Sequence, residues 1–524
     1  MESIFRRETL DLSVTRQQVS AQASVALGLM VLFYLLAFLV AAALGLGAYL
    51  ALLGLGAVGG AFIGGLFAVA AVVVLGAMVP RSSRFVPPGP ELKRATHEEL
   101  FREVEQLAGD TGQKMPNRIY LLNDVNAFVA DHGGVLGFGS QRVLGIGLPL
   151  LCALDRQELR GVLGHEFGHF CRGDTRLGPW VYRGRRAMIT AAKNLGAVAR
   201  AFGPIGFVFK LLALPFTAYA KGYLRFTQNL SRRQEFAADE VGAKLAGTAS
   251  TVAALRAVEV CSVAFEAYFR NELLPLIQIG WLAPVAEGFR RFLKTAAASR
   301  LIEQVQAKPG RKADPLDSHP SLTERVFALE AVAGPRRGRD DRPAADLLHE
   351  LPGYELALVQ GMLDGSHPVL KPVTWREVGK VLADQWNRIG ADVAVVYRPR
   401  TFADLPVDPK EHRAMLGRHS GKDVSEVSEA EVQDWAQWAL MHLVFAGLLT
   451  AGLRCTSMPG EPVRFSSDLQ NFEPAEVVYR LLRGALNRED WRTFCRDTGL
   501  SRVEIELLAA KSPRFEAERE LAEA

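Results

Sequence analysis

The chain opens with an abrupt split in polarity. Residues 23–80 carry no charged side chain, and glycines gather in the middle of the run, from Gly54 to Gly60. One bilayer span needs about 20 apolar residues. The run therefore predicts two transmembrane helices joined by a tight glycine-rich turn. It far exceeds the ~7–15 apolar residues of a cleaved signal peptide. A buried soluble hairpin is the competing reading. Past the proline-rich segment that ends near residue 95, the period changes. Residues 97–108 alternate as an amphipathic helix, 117–123 as a strand, and 126–147 as two short strands around a glycine-rich turn. Asp155 stands three residues before Glu158, a capping-box-like pattern. It predicts a helix that runs to about Cys171 and stops at Gly173.

Two later apolar stretches are less regular. Residues 201–220 are interrupted by Pro204, Lys210 and Pro215. They read as a membrane-surface or re-entrant segment, or as a buried helical hairpin. A full span is disfavoured, since a lysine at mid-bilayer costs about 2.5–3.5 kcal/mol. Beyond the linker the pattern is mostly helical, with helices expected near 374–390, 427–453, 473–485 and 500–510. Residues 435–453 lack charge but include Gln437, His442 and Thr450, so they read as a core helix with His442 packed inside it. No chemistry is assigned to this region.

The expected fold class is α+β. A cytoplasmic segment (1–22) precedes the transmembrane hairpin (23–80) and a linker (81–95). A mostly helical domain with a small β-sheet follows (96–334), with 196–220 as its membrane-associated candidate. A second linker (335–346) leads to a mostly helical C-terminal domain (347–524).

Charge and cysteine content refine this outline. The 524 residues give a formal net charge of only +4, which offers no case for nucleic acid as a partner. The cations that matter flank the apolar run: Arg6, Arg7 and Arg16 before it, and Arg81, Arg84, Lys93 and Arg94 after it. The positive-inside rule puts both flanks, and everything after residue 81, in the cytoplasm. Five cysteines, with no CxxC pair, match a reducing compartment and predict no disulfide framework. Gly54-Leu-Gly56-Ala-Val-Gly59 has the GxGxxG spacing of a dinucleotide loop, but no βαβ unit surrounds it. Gly60 and Gly64 read either as a helix-packing face or as part of the general glycine richness.

The candidate chemistry lies on the helix that starts at Asp155. His165-Glu166-Phe167-Gly168-His169 is an HExxH motif. Histidines four residues apart on a helix share a face, so both imidazoles can reach one zinc ion while Glu166 stands beside the open coordination position. Gly161, Gly164 and Gly168 share the same helix, each costing about 1 kcal/mol relative to alanine. Such a cost implies a close backbone approach, to substrate or to a neighbouring helix. Zinc needs a third protein ligand, and Glu235 in Ser231-Arg-Arg-Gln-Glu-Phe-Ala-Ala-Asp239 supplies it best. Asp239, one turn later, would accept the N–H of a ligand imidazole. A solvated helix face is the plainer reading of such a pair, and Phe236, Ala237 and Ala238 argue against it.

HEFGH, SRRQEFAAD and the later SHPSLTER at 318–325 resemble the HtpX-like and CAAX-prenyl-protease-like membrane metallopeptidases, gluzincins with an HExxH…ExxxD arrangement. The matching motifs span roughly residues 95–330. The resemblance implies His165, His169 and Glu235 as ligands of one zinc per chain, Glu166 as the catalytic base, and Asp239 behind the ligands. It also implies that Asn126, Ala127 and Phe128 form a strand bordering the substrate cleft. His319 and Arg325 would stabilise the oxyanion or grip substrate. Residue by residue, His319 reads equally as a helix-entry position before Pro320, and Arg325 as half of a structural ion pair. The implied protein is a zinc endopeptidase of a bacterial inner membrane. Its catalytic domain would face the cytoplasm, and it would act on membrane or membrane-proximal polypeptides, as in membrane-protein quality control. Relatives usually carry two further transmembrane segments between HExxH and the third ligand, where this chain has the interrupted stretch at 201–220. The competing class is a non-catalytic membrane adaptor that binds clients through a peptidase-like domain.

Overall fold

A computed structural model describes residues 13–78, 85–132, 141–171, 188–189, 193, 206–307, 320–332, 340–363, 367–405, 409–421, 423, 427–467 and 470–517. Two compact units emerge. One comprises Met1–Ser262 and Gln306–Leu351; the other comprises Val263–Val305 and Pro352–Ala524. Residues Val263–Val305, expected within the peptidase domain, thus cluster with the C-terminal part of the chain.

The first unit begins with the apolar hairpin, α1 (Ser13–Gly54) and α2 (Gly56–Met78). Gly56 adopts φ +68° at the turn, a left-handed backbone that glycine accepts without strain. Gly60 and Gly64 let α2 lie against α1. A Cβ at Gly60 would stand 2.8 Å from the Ala51 carbonyl oxygen, and one at Gly64 would stand 3.0 Å from that of Ala48. Ser24–Gly54 and Gly56–Gly76 are long and apolar enough to cross a membrane, and 22% of each apolar window is buried. Phe38, Leu39, Leu53, Phe62 and Val72 point outward.

A small mixed sheet and neighbouring helices frame the HExxH segment. The strands are β1 (Glu91–Leu92), β2 (Arg118–Leu122), β3 (Ala127–His132) and β4 (Gln141–Gly147), in the order β1-β2-β4-β3. β2 and β4 are parallel; β3 runs antiparallel to β4, with Val129 opposite Leu144, and forms an edge. Helix α3 (Glu98–Asp110) buries Leu100, Val104, Leu107 and Ala108, the stripe its period predicts. α4 (Leu148–Ala153) leads to α5 (Arg156–Cys171). The capping box read from the sequence forms: Asp155 Oδ1 accepts from the Glu158 N–H at 2.7 Å, and Glu158 Oε2 from the Asp155 N–H at 3.0 Å. Arg160 anchors the outer face of α5 to α3 through Glu103 (3.0 Å) and Asp110 (2.8 Å).

The apolar stretch read at 201–220 is described from residue 206 on. It is the first part of a single helix, α6 (Gly206–Ala246), which runs through Pro215. Its neighbours α7 (Thr248–Tyr268) and α8 (Leu322–Glu330) follow.

The second unit has an aromatic core. Trp386, Phe445, Phe465 and Trp491 are buried together with Leu443, Val444 and Leu448. Its central helices are α9 (Val378–Tyr397) and α10 (Glu429–Thr450). α10 contains residues 435–450 of the uncharged stretch and buries most of them, as expected of a core helix, while Gln437, Trp438 and Thr450 are exposed. His442 is 8% exposed and its Nδ1 lies 2.7 Å from the Trp438 carbonyl oxygen. A short antiparallel sheet, Arg454–Thr456, Arg464–Ser466 and Asn471–Phe472, also belongs to this unit.

Candidate metal centre

Helices α5 and α6 meet along a seam of nearly bare backbone. A Cβ added at Gly168 would lie 2.9 Å from Ala238 Cα, and one at Gly164 would lie 3.0 Å from Leu245 Cδ1 and 3.2 Å from Gly242 Cα. On the facing helix, a Cβ at Gly242 would lie 2.7 Å from the Gly161 carbonyl oxygen. The glycines that weaken α5 as an isolated helix are therefore what allows it to approach α6. That approach brings short side chains of both helices to one point.

His165 and His169 project from one face of α5 with ring centroids 4.7 Å apart and planes at 83°. Glu235, 6% exposed, projects from α6 between them. His165 Nε2 lies 3.6 Å from Glu235 Oε2, and His169 Nε2 lies 3.8 Å from Glu235 Oε1. All three donor atoms fall within 4.8 Å of one another. A tetrahedral ion held at about 2.0–2.1 Å separates its ligand atoms by about 3.3–3.4 Å. Two imidazole nitrogens and a carboxylate at these distances suit zinc and need only a slight contraction to hold it.

Behind these three side chains sits Asp239, 1% exposed. Its Oδ1 lies 2.8 Å from His165 Nδ1. The Nδ1–H donated there leaves the Nε2 lone pair directed towards Glu235. Arg325 of α8 forks onto the same carboxylate, with Nε to Oδ2 at 2.8 Å and Nη2 to Oδ1 at 2.5 Å. Burial by itself would raise the Asp239 pKa. The hydrogen bonds from Arg325 and His165 outweigh it and hold the carboxyl below its ordinary value.

Glu166 accepts a hydrogen bond from the backbone N–H of Val129 on the edge strand β3. Desolvation pushes its pKa up to about 7; His165 and the Val129 N–H pull it down, and Glu235 adds to the rise. A divalent cation beside it would draw it lower again.

The remaining expected positions fall as follows. Ala127 is buried in β3. Asn126 is exposed, and its carbonyl oxygen accepts from the Gly147 N–H at 2.8 Å, so this group serves the sheet. The Phe128 ring lies over Gly145, where a Cβ would come within 2.5 Å of Phe128 Cε1. Arg325 lies behind His165 in an ion pair with Asp239. His319 lies outside the described residues. Two contacts were not anticipated. One is the Val129 N–H, a backbone group that no side-chain motif marks. The other is the docking of α8, where Arg232 of α6 pairs with Glu324. Ser321 and Glu324 form a capping box at the start of α8, and the Ser-x-x-Glu pattern is a sequence signal for that helix start.

Known proteins resemble this part of the chain. Residues 94–333 match the family model described as Peptidase family M48. The chain is 31% identical over 187 residues to a protein named Protease HtpX from Pseudomonas fluorescens (strain SBW25), covering 31% of this chain and 57% of that protein. A protein of the same name from Xanthomonas axonopodis pv. citri (strain 306) is 27% identical over 264 residues, covering 47% of this chain and 76% of the relative. The chain thus spans a little over half the length of the first of these relatives. No solved structure matches the chain.

Proposed function

We propose, from the match of residues 94–333 to the model of peptidase family M48, that the protein is a membrane-anchored, zinc-dependent endopeptidase. The observation that carries the reading is the convergence of His165, His169 and Glu235 with Glu166 at their side. His165 Nε2, His169 Nε2 and the Glu235 carboxylate would hold one zinc ion. Zinc, when bound, supplies Lewis acidity that acidifies a water molecule and polarises the scissile carbonyl.

The protein's own groups do the rest. Glu166 takes the proton of the attacking water and returns it to the leaving nitrogen. Asp239 fixes the tautomer of His165, and Arg325 keeps Asp239 charged in a buried setting, so Arg325 acts as a positioning residue. His319 remains the residue proposed to stabilise the oxyanion. The outer edge of β3, with Asn126, Ala127 and Phe128 at its start, would align an extended polypeptide beside Glu166. The proposed substrates are membrane and membrane-proximal proteins, in the service of membrane-protein quality control. The hairpin α1–α2 would anchor the enzyme in a bacterial inner membrane with the metal centre on the cytoplasmic side, as the flanking arginines indicate.

The test is a Glu166→Gln variant of the full chain. It should keep stoichiometric zinc by elemental analysis and lose chelator-sensitive casein cleavage by a factor of about 10²–10⁴. Cleavage at the wild-type rate would show that Glu166 is not the base. Zinc in neither protein would favour the adaptor reading.

A further inference from the structure

The first turn of α5 needs hydrogen-bond acceptors that α5 cannot supply, because the leading N–H groups of a helix have no carbonyl one turn earlier. Each of the first three finds one. Glu158 donates to Asp155 Oδ1 at 2.7 Å. Arg156 donates to the Arg342 carbonyl oxygen at 2.9 Å, and Gln157 to that of Asp340 at 3.1 Å. In the other direction, the Ala344 N–H donates to the Leu154 carbonyl oxygen at 2.9 Å, and Asp155 forms an antiparallel bridge with Pro343. Residues 340–346, read from the sequence as part of a linker, thus close the start of the helix that bears both histidines.

More than these bonds holds the segment down. Ala344, Ala345, Leu347 and Leu348 are buried. The His349 N–H donates at 3.1 Å to Nδ1 of His97, a fully buried residue immediately before α3. Glu350 then takes φ +53°, a backbone that a non-glycine residue keeps only where its surroundings fix it. All of this belongs to the first unit, which extends to Leu351, whereas the family match ends at residue 333. α5 depends on such a cap. Gly161, Gly164 and Gly168 weaken it as a helix, and Glu235 reaches the centre from a different helix. A slip of α5 by one residue moves its histidines by about 1.5 Å along the axis. A zinc site tolerates about 0.2 Å.

We propose that residues 340–348 are a positioning strap of the peptidase. By closing the first turn of α5 they hold His165 and His169 in register with Glu235, so the working unit extends past the family match to Leu351. The positioning of metal ligands rests on the peptidase reading; the capping of α5 does not. Without the strap, the arrangement able to take zinc becomes one population among several, and the apparent zinc affinity falls by the competent fraction. Zinc, which favours the ordered arrangement alone, draws α5 back as its concentration rises. A fold that is merely broken does not recover in this way.

Two pairs of full-chain variants test the strap. Arg156→Pro and Arg156→Ala both lose the side-chain pair with Glu99 (2.8 Å), but only proline also removes the N–H that reaches the Arg342 carbonyl. Proline is well accepted at the first position of a helix, so an α5 that needs no strap should tolerate it. With the strap in force, Arg156→Pro should bind zinc about 5-fold or more weakly than Arg156→Ala, by competition with a chelating dye. Amide hydrogen exchange over residues 156–164 should be faster in the proline variant. In the second pair, Leu347→Ala should lower zinc affinity by about 10-fold or more, while Leu347→Met, similar in volume, keeps most of it. Raising free zinc should restore both amide protection and casein cleavage in Leu347→Ala. Equal affinity and equal exchange in the two Arg156 variants overturn the proposal. So does wild-type zinc affinity in Leu347→Ala, or a loss of cleavage there that zinc does not restore. Absence of zinc from the wild type counts against the peptidase reading and the positioning role together, and the exchange comparison still decides the capping.

Discussion

Two helix pairs in this protein use the same packing device for opposite ends. In the first unit, α5 and α6 touch through Gly161, Gly164, Gly168 and Gly242. In the second, α9 and α10 touch at Gly390, where a Cβ would lie 2.3 Å from Ala446 Cβ and 2.8 Å from the His442 carbonyl oxygen. Around Gly390 the space fills with rings: Trp386 and Phe445 have centroids 4.9 Å apart. Around the α5–α6 seam it fills with His165, Glu235 and Asp239. Close backbone approach thus does not by itself mark a site. A site arises when the side chains beside the glycines are donors of opposite charge preference that gain from a shared cation. Where they are apolar, the same approach yields a core.

The comparison can be broken at several points. The largest effect is expected from Gly168→Leu, which forces α5 away from Ala238. The ligands would no longer meet, and zinc content and cleavage should both fall, the latter by about 10²-fold or more. Elemental analysis alongside a casein assay checks this, and a variant with full zinc would show that the seam does not set the site. Next is Asp239→Asn, which keeps the shape but removes the charge that orients His165 and pairs with Arg325. Zinc affinity should drop about 10–100-fold, as read by competition with a chelating dye, while thermal unfolding of the second unit stays put. Gly390→Leu is the mirror experiment. Overpacking against Ala446 should cost about 1–3 kcal/mol, seen as a lower midpoint in denaturant, with zinc content unchanged. Loss of zinc in that variant would mean that the two seams are not independent.

The smallest effect is a pH dependence. Burial lowers the His442 pKa, opposed by the hydrogen bond to the Trp438 carbonyl. A histidine whose pKa is depressed on folding favours the fold while neutral. That contribution is complete above the unfolded value near 6.5 and is lost as the pH falls below it. Thermal melts from pH 8 to 5 should therefore decline more steeply for the wild type than for His442→Gln.

Local signals predicted a good deal of this. A capping pattern at Asp155 and Glu158, an uncharged run and a four-residue histidine spacing each concern neighbours along the chain, and each predicts its own element. The stretch at 201–220 stayed open between a membrane-surface or re-entrant segment and a buried hairpin for the same reason. Lys210 and Pro215 weaken a local helix signal, and only packing on Phe33 and Val74 compensates. The α8 fork was half legible. Arg325 could be read as an ion pair or as a substrate contact, and the choice depended on the position of Asp239 in another segment.

By itself the chain determined the hairpin, the helix bearing both histidines, and the glycine stripe that demands a close neighbour, because these follow from periodicity and backbone propensity. The tertiary structure decided that the neighbour is the helix carrying Glu235, that the Val129 N–H reaches Glu166, and that Arg325 faces Asp239. Those pairings join residues far apart in the chain, and no local pattern specifies which buried donor meets which buried acceptor until the helices are packed.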